Sequence, residues 1–138
     1  MVDVVLFACV HNAGRSQMAA AWFGDLADPA KARAVSAGTQ PGPHVHPEVT
    51  AAMAEVGIDV RLARPTLLTA ALAAEARLLV TMGCGEACPA VPGLQREDWP
   101  LPDPKGQPMA VVRTIRDDVR ERVLDLVKRR GWQRAARR

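Results

Sequence analysis

The 138-residue chain contains no tyrosine, and its aromatic complement is two phenylalanines and three tryptophans. Its basic C-terminal run, Lys128 to Arg138, holds one aromatic residue and no recognisable nucleic-acid fold, so no nucleic-acid partner is expected. Three cysteines make an odd number and no N-terminal signal pattern precedes the first apolar run, which argues against a secreted disulfide framework. No apolar run approaches the ~18 residues of a membrane span. A reducing cytoplasm is the expected compartment, with no membrane partner. Internal repeats and low-complexity blocks are also missing. A GxxxxGK[ST] nucleotide loop is excluded, because no Lys and Ser/Thr stand in the required places.

The positive net charge of +3 is local. Residues 128–138 carry six of the 18 Lys and Arg and no carboxylate, leaving 12 cations against 15 carboxylates elsewhere, a net −3. Cations suit the carbonyl end of a helix, and termini fray, so 131–138 is expected to be a solvated basic tail after a single domain of residues 1–130. A chain of this length buries roughly two thirds of its unfolded surface without a disulfide staple.

Val2 to Ala8 is a short, nearly continuous apolar run, the pattern of a strand buried on both faces. Ser16 to Ala27 reads as a helix ending near Asp28-Pro29, and Ala32 to Ala37 as a second strand. Pro47 stands at the N1 position of a helix over Glu48 to Val56, stopped by Gly57. A helix over Thr66 to Ala74, a buried strand over Arg77 to Met82 and a short strand over Gln95 to Trp99 follow. Val111, Ile115, Val119, Val123 and Leu126 fall at helical spacing and mark a terminal amphipathic helix from about Ala110 to Arg130. Strands alternating with helices predict an α/β doubly wound parallel sheet, which binds ligands at the carboxyl ends of its strands.

Cys9 lies at such an end, in Cys9-Val10-His11-Asn12-Ala13-Gly14-Arg15-Ser16, between the first strand and the first helix. A strand-to-helix loop gathers backbone N–H groups and the positive end of the helix dipole around a concavity. Arg15 supplies a planar fork that holds two oxygens of a tetrahedral anion. The same field favours a thiolate at Cys9, in line with that anion. The bland alternative is a buried structural thiol beside a surface arginine; the position after the strand, the Asn-x-Gly turn chemistry and Ser16 count against it. His11 offers either a further charge beside the thiolate or only its backbone N–H.

Cys9-x-x-Asn12-x-x-Arg15-Ser16-x-Met18-Ala19 resembles the nucleophile loop of the low-molecular-weight protein tyrosine phosphatase superfamily. Gln17 and much of the remaining chain are more similar to the arsenate reductases built on that fold. The likeness runs through Ser36-Ala37-Gly38-Thr39, Val45-His46-Pro47, Gly57-Ile58-Asp59, Arg64-Pro65, Thr81-Met82-Gly83-Cys84, Asp98-Trp99 and Asp103-Pro104. The resemblance implies a small four-stranded sheet of order 2-1-3-4 flanked by helices. It makes Cys9 the nucleophile, the amides of Val10 to Ser16 with Arg15 the oxyanion site, Ser16 a donor to the thiolate and Asn12 the pin of the loop. Asp103, between Pro102 and Pro104 on a mobile loop, becomes the general acid. Read without the family, an Asp in a Pro-rich turn is ordinarily a turn former.

Two further cysteines, Cys84 and Cys88, separate reductase from phosphatase, since a phosphatase needs only Cys9. With the implied strand order, Cys84 comes within reach of Cys9. Arsenate has the shape and charge of phosphate, and phosphate and sulfate are expected competitors. Cys84 would release arsenite by attacking Cys9, and Cys88 would pass the oxidation to the surface as an 84–88 disulfide. A regular helical turn holds such a pair too far apart for that bond, so the segment must rearrange; Gly83, Gly85 and Pro89 allow it. Lys105 stands where the tyrosine phosphatases carry an aromatic residue beside the substrate ring.

No tightly bound cofactor is implied, only an external thiol donor. Cys84 and Cys88 are spaced more closely than in the thioredoxin-coupled members, which leaves two donors open: a thioredoxin-like protein, or mycothiol with a glutaredoxin-like protein. The alternatives are a phosphatase working through a Cys9 phosphocysteine and a metal or arsenite binder using Cys84, Cys88, His44 and His46, whose spacing matches no known zinc module. No metal site is expected.

Overall fold

The computed structural model describes residues 2–83 and 93–134. Its elements in chain order are β1 (Asp3–Cys9), α1 (Arg15–Leu26), β2 (Ala32–Gly38), α2 (Pro47–Glu55), α3 (Ala70–Glu75), β3 (Leu78–Thr81), β4 (Gln95–Asp98) and α4 (Met109–Arg130). The four strands are parallel and ordered β2-β1-β3-β4, the arrangement that the family resemblance implies.

Alternation along β1 divides the core. Val5, Phe7 and Cys9 join residues of α1, α2 and α4 in the main cluster, while Leu6 and Ala8 meet Ala37, Leu79 and Ala73 of α3 on the other face. The sheet therefore lies between a thick layer of three helices and a thin layer of one. Register fixes what happens at the strand ends. Ala8 pairs with Thr81 and Cys9 with Gly38, so the chain leaves β1, β2 and β3 at one level. At the outer edge β4 is mostly exposed and reads Gln-Arg-Glu-Asp, a charged edge that discourages further strand pairing.

The scarce aromatics are concentrated inside. Trp99, Phe7, Phe23 and Trp132 form one chain of ring contacts at 5.7–5.9 Å between centroids. Trp22 is also buried, with the Arg120 guanidinium 5.6 Å from its ring.

Two expectations need correction. The helix expected over Thr66 to Ala74 is α3, six residues long, with the Thr69 side chain capping it by accepting from Leu72 N–H at 3.2 Å. Residues before it are claimed by the sheet: Gly38 N–H donates to Thr66 O and Leu68 N–H to Gly38 O, both at 2.8 Å, and this pairing outcompetes a helical turn. The chain also does not become a solvated tail at residue 131. Gly131, at φ +70, closes α4; Trp132 N–H then donates to Val127 O at 2.9 Å and its ring turns into the core, 6% exposed. Trp132 O accepts from Asp28 N–H at 2.7 Å, and Arg134 donates to the carbonyls of Gly24 and Asp25, so residues 131–134 belong to the packed body.

Trp132→Ala is expected to lower the unfolding free energy by about 3 kcal/mol, the scale of removing a large buried ring. Urea unfolding checks it: the midpoint should fall with the slope unchanged, whereas an unmoved midpoint means that the ring is not packed in solution.

Candidate active site

The loop from Cys9 to Arg15 is held from outside by its carbonyls. Cys9 O accepts from Thr39 N–H at 3.3 Å, Val10 O from Gln40 at 2.8 Å, His11 O from Gly42 at 2.9 Å and Ala13 O from His46 at 2.9 Å. Asn12 O is taken on another side by the Gln17 side-chain amide at 3.0 Å, and Gly14 O starts the helical ladder with Met18 N–H. A trans peptide directs each N–H opposite to the preceding carbonyl. Among the described residues the amides of Val10 to Gln17 have no acceptor, and they converge where α1 begins. Gly14 caps α1 without a side-chain bond and the first turn carries no acidic residue, so the positive end of the helix is not neutralised locally.

Asn12 is the sole non-glycine residue at positive φ among those described, at +50. It is fully buried, and its amide is committed at both ends. Asn12 Oδ1 accepts from Thr66 N–H at 2.9 Å and from Gln17 Nε2 at 3.2 Å, and Asn12 Nδ2 donates to Ser16 Oγ at 2.7 Å. Ser16 Oγ lies 2.8 Å from Cys9 Sγ. Since the hydroxyl already accepts from Asn12, its one hydrogen is free to go to sulfur. Cys9 is 2% exposed, set deep in the cradle.

Arg15 stands across the opening. Its Nη1 donates to Leu101 O at 3.0 Å, and its guanidinium lies on Gly83 so closely that a Cβ there collides with Nη1. Gly83, at φ +96, is thus doubly reserved for glycine, and it immediately precedes Cys84. Pro104 presses on the loop from the same side: a Cβ on Gly14 would come within 2.8 Å of Pro104 Cγ. Asp103 is exposed between these contacts, its Oδ1 accepting from Lys105 N–H at 3.0 Å in a turn of its own loop.

Beside the cradle, His11, Gln40 to His44, His46 and Lys105 line a cavity of about 500 Å³. His11 Nδ1 faces Gln40 O at 3.0 Å, which places the proton on Nδ1. Burial pushes the His46 imidazolium below its usual range, against the raising influence of Glu48 and Asp103. A larger cavity, about 680 Å³, runs along α2 and contains none of the loop residues, so its size does not make it the site of the chemistry.

The structure thus brings Cys9, Asn12, Arg15 and Ser16 into one cluster and sets Asp103 at its rim. Cys84 and Cys88 lie outside the described residues. Sequence reasoning assigned no role to Gln17 or the Leu101 carbonyl, and it gave Gly83 only the freedom of the Cys84 segment, not its contact with Arg15. A glutamine on the first turn of an apolar helix and a glycine directly before a cysteine were the available signals.

Residues 4–135 match the family model described as low molecular weight phosphotyrosine protein phosphatase. The chain is 39% identical over 126 residues to a putative arsenate reductase of Halobacterium salinarum, covering 87% of each. It is 36% identical over 126 residues to the glutaredoxin arsenate reductase of Synechocystis, covering 89% of this chain and 95% of that one. The fold superposes on the thioredoxin-dependent arsenate reductase of Corynebacterium glutamicum with a TM-score of 0.81 at 36% identity, over 93% of this chain and 61% of that longer chain. A match along nearly the whole chain, at a site built around Cys9 and Arg15, means that the chain belongs to the low molecular weight phosphotyrosine protein phosphatase family.

Proposed function

We propose that the protein reduces arsenate to arsenite, with Cys9 as nucleophile, Arg15 and the amides of Val10 to Ser16 as the oxyanion site, and Cys84 and Cys88 as the redox relay. The observation that carries this reading is the loop in which every carbonyl from Cys9 to Gly14 is bound on the outside, leaving amides, a guanidinium and a thiol around one concavity. Such a cradle takes a tetrahedral dianion, and arsenate, phosphate and sulfate share that shape. The arsenate reductase names of the relatives at 36–39% identity favour arsenate as the reacting anion. Among the described residues no phenylalanine, tyrosine or tryptophan lines the cavity beside the cradle, where Lys105 stands in place of the phosphatases' ring-stacking residue.

In the first step Cys9 sulfur attacks arsenic and one oxygen leaves as water, its proton supplied by Asp103 once the loop turns that carboxyl toward the anion. Cys84 then attacks Cys9 sulfur. A sulfur–sulfur bond forms, the sulfur–arsenic bond breaks with its electron pair left on arsenic, and As(V) leaves as As(III). Two thiols have supplied the two electrons. Cys88 attacks Cys84 next, freeing Cys9 and leaving an 84–88 disulfide for an external dithiol. The placement of Gly83 against Arg15 supports this route, because Cys84 follows directly in the chain. A thioredoxin-like protein is the donor that the relay favours; the competing route has mycothiol attack the arsenic adduct and a glutaredoxin-like protein reduce the mixed disulfide. The reaction serves arsenic detoxification in the cytoplasm.

Purified Cys9→Ser protein should release no arsenite while remaining folded, because a hydroxyl is hardly ionised at neutral pH and cannot form a disulfide. In the unaltered protein, saturating phosphate should slow alkylation of Cys9; unchanged alkylation would remove the anion site. Gly83→Ala should raise the KM for arsenate about tenfold or more, since the added methyl displaces the Arg15 fork. A KM equal to that of the unaltered enzyme would mean that Arg15 does not bind the anion from this position.

Cys88→Ser distinguishes the donors. With an internal relay the variant should yield one arsenite per molecule, accumulate a Cys9–Cys84 disulfide visible by mass, and stop turning over with thioredoxin. Normal turnover with mycothiol and its partner protein, without that disulfide, would replace the relay by the small-thiol route.

A further inference from the structure

Gln17 is 5% exposed on the first turn of α1, and its Nε2 sits among three oxygens: Asn12 O at 3.0 Å, Asn12 Oδ1 at 3.2 Å and Arg64 O at 3.3 Å. Two of the three belong to the one residue of the loop in a left-handed backbone conformation. That conformation rotates the Asn12 carbonyl out of line with its neighbours, so it alone among the carbonyls from Cys9 to Ala13 is beyond residues 39–46. Gln17 takes it from the α1 side instead.

We infer that Gln17 is a positioning residue for the oxyanion site: by donating to Asn12 O and Oδ1 it holds the Asn12–Ala13 peptide with its N–H turned into the cradle, and the Asn12 amide with Nδ2 turned to Ser16. This rests on the proposed role of the Cys9–Arg15 loop and adds the element that sets its polarity. Asn12 is fully buried, so its carbonyl, deprived of Gln17, has no water to turn to. Its open alternative is a peptide rotation that points the carbonyl oxygen toward the anion and withdraws the Ala13 N–H. One lost donation therefore becomes a repulsive dipole in the site. The same amide keeps Asn12 Oδ1 facing the donors of Gln17 and Thr66, which leaves Nδ2 for Ser16 and the Ser16 hydrogen for Cys9.

The charged groups facing Gln17 are few. Asp59 lines the adjacent cavity and is held at about 2 by the Arg61 hydrogen bonds, with Arg61 Nη2 2.8 Å from its carboxylate. Arg64 directs Nη1 to the carbonyls of Arg61 and Ala63. Arg15 lies at the cradle, with its Nη1 on Leu101 O. His11 and His46 lie on the far side of the loop, where they line its neighbouring cavity with Lys105.

The test measures how much sulfate protects Cys9 from alkylation between pH 5 and 8, a range in which sulfate keeps its charge. Gln17→Met retains the bulk and removes the donors; it should need about tenfold more sulfate than the unaltered protein, by a ratio that does not change with pH. Gln17→Glu retains the shape and offers an acceptor at high pH; its deficit should exceed that of Gln17→Met at pH 8 and shrink toward pH 5, where the carboxyl takes a proton and can donate. A merely structural role lowers the urea midpoint of both variants and leaves both sulfate ratios near one, which overturns the inference, as does a Gln17→Glu deficit with no recovery in acid. Failure of sulfate to protect the unaltered protein would instead overturn the loop assignment, and this inference with it.

Discussion

A trans peptide carries its C=O and the following N–H on opposite sides, so a segment that grips the carbonyls of a loop from outside turns the amides of that loop inward. Residues 39–46 do this to Cys9, Val10, His11 and Ala13, and Gln17 does it to Asn12. The rest of the site follows from that constraint. Inward amides cannot satisfy one another, and the helix that follows has no capping side chain. The fold therefore holds a concentration of unpaired donors at one point, an arrangement stabilised when an anion occupies it. The amide positions depend on hydrogen bonds to a separate stretch of chain, and hence on how firmly 39–46 is anchored. Val45, buried in the core beside His46, and Pro47, which opens α2, supply that anchor.

The sheet register is what brings the chain leaving β3 to the end of β1. Ala8 and Thr81 are paired on neighbouring parallel strands, and Met82 N–H continues the ladder to Ala8 O at 2.8 Å. The chain leaving β3 therefore begins at the level of Cys9, and Gly83 meets the Arg15 guanidinium there. The opposite order, with β3 at the sheet edge, would separate Cys9 from the Cys84 segment by a strand. The proposed Cys9–Cys84 relay depends on the order found, together with a β3 core of Leu78, Leu79 and Val80 that has no freedom to slip by one residue without exchanging its faces.

Much of this was legible in the sequence for a physical reason: local patterns encode local geometry. The apolar run before Cys9, the Asn-x-Gly turn, Pro47 at the start of α2 and the helical spacing from Val111 to Leu126 each depend on a few consecutive residues. The strand order came from family resemblance and not from periodicity, which is silent on which strands are neighbours. The features that escaped are long-range. Residues 66–68 read as helix because nothing local reveals that Gly38 claims their backbone groups. Trp132 read as part of a tail because its ring partner, Phe23, is far away in sequence. Gln17 and Gly83 were visible as letters, but their meaning lies in contacts with Arg64 and Arg15.

Arg15 shows how such contacts join separate parts of the site. A guanidinium has five N–H donors in a fixed plane, and one of its Nη1 hydrogens is committed to Leu101 O. The remaining donors suffice for a two-oxygen grip on an anion, so the group can hold substrate and the Asp103-bearing loop together. Lysine has one point of charge and no such division of its donors. Because Pro104 also rests against Gly14, the 101–104 segment meets the cradle at two adjacent residues, Gly14 and Arg15. In the proposed site, the anion, the 101–104 loop and the residue before Cys84 meet at this one planar group, so an anion that steadies the loop is, by thermodynamic reciprocity, held more tightly when the loop is steadied from elsewhere.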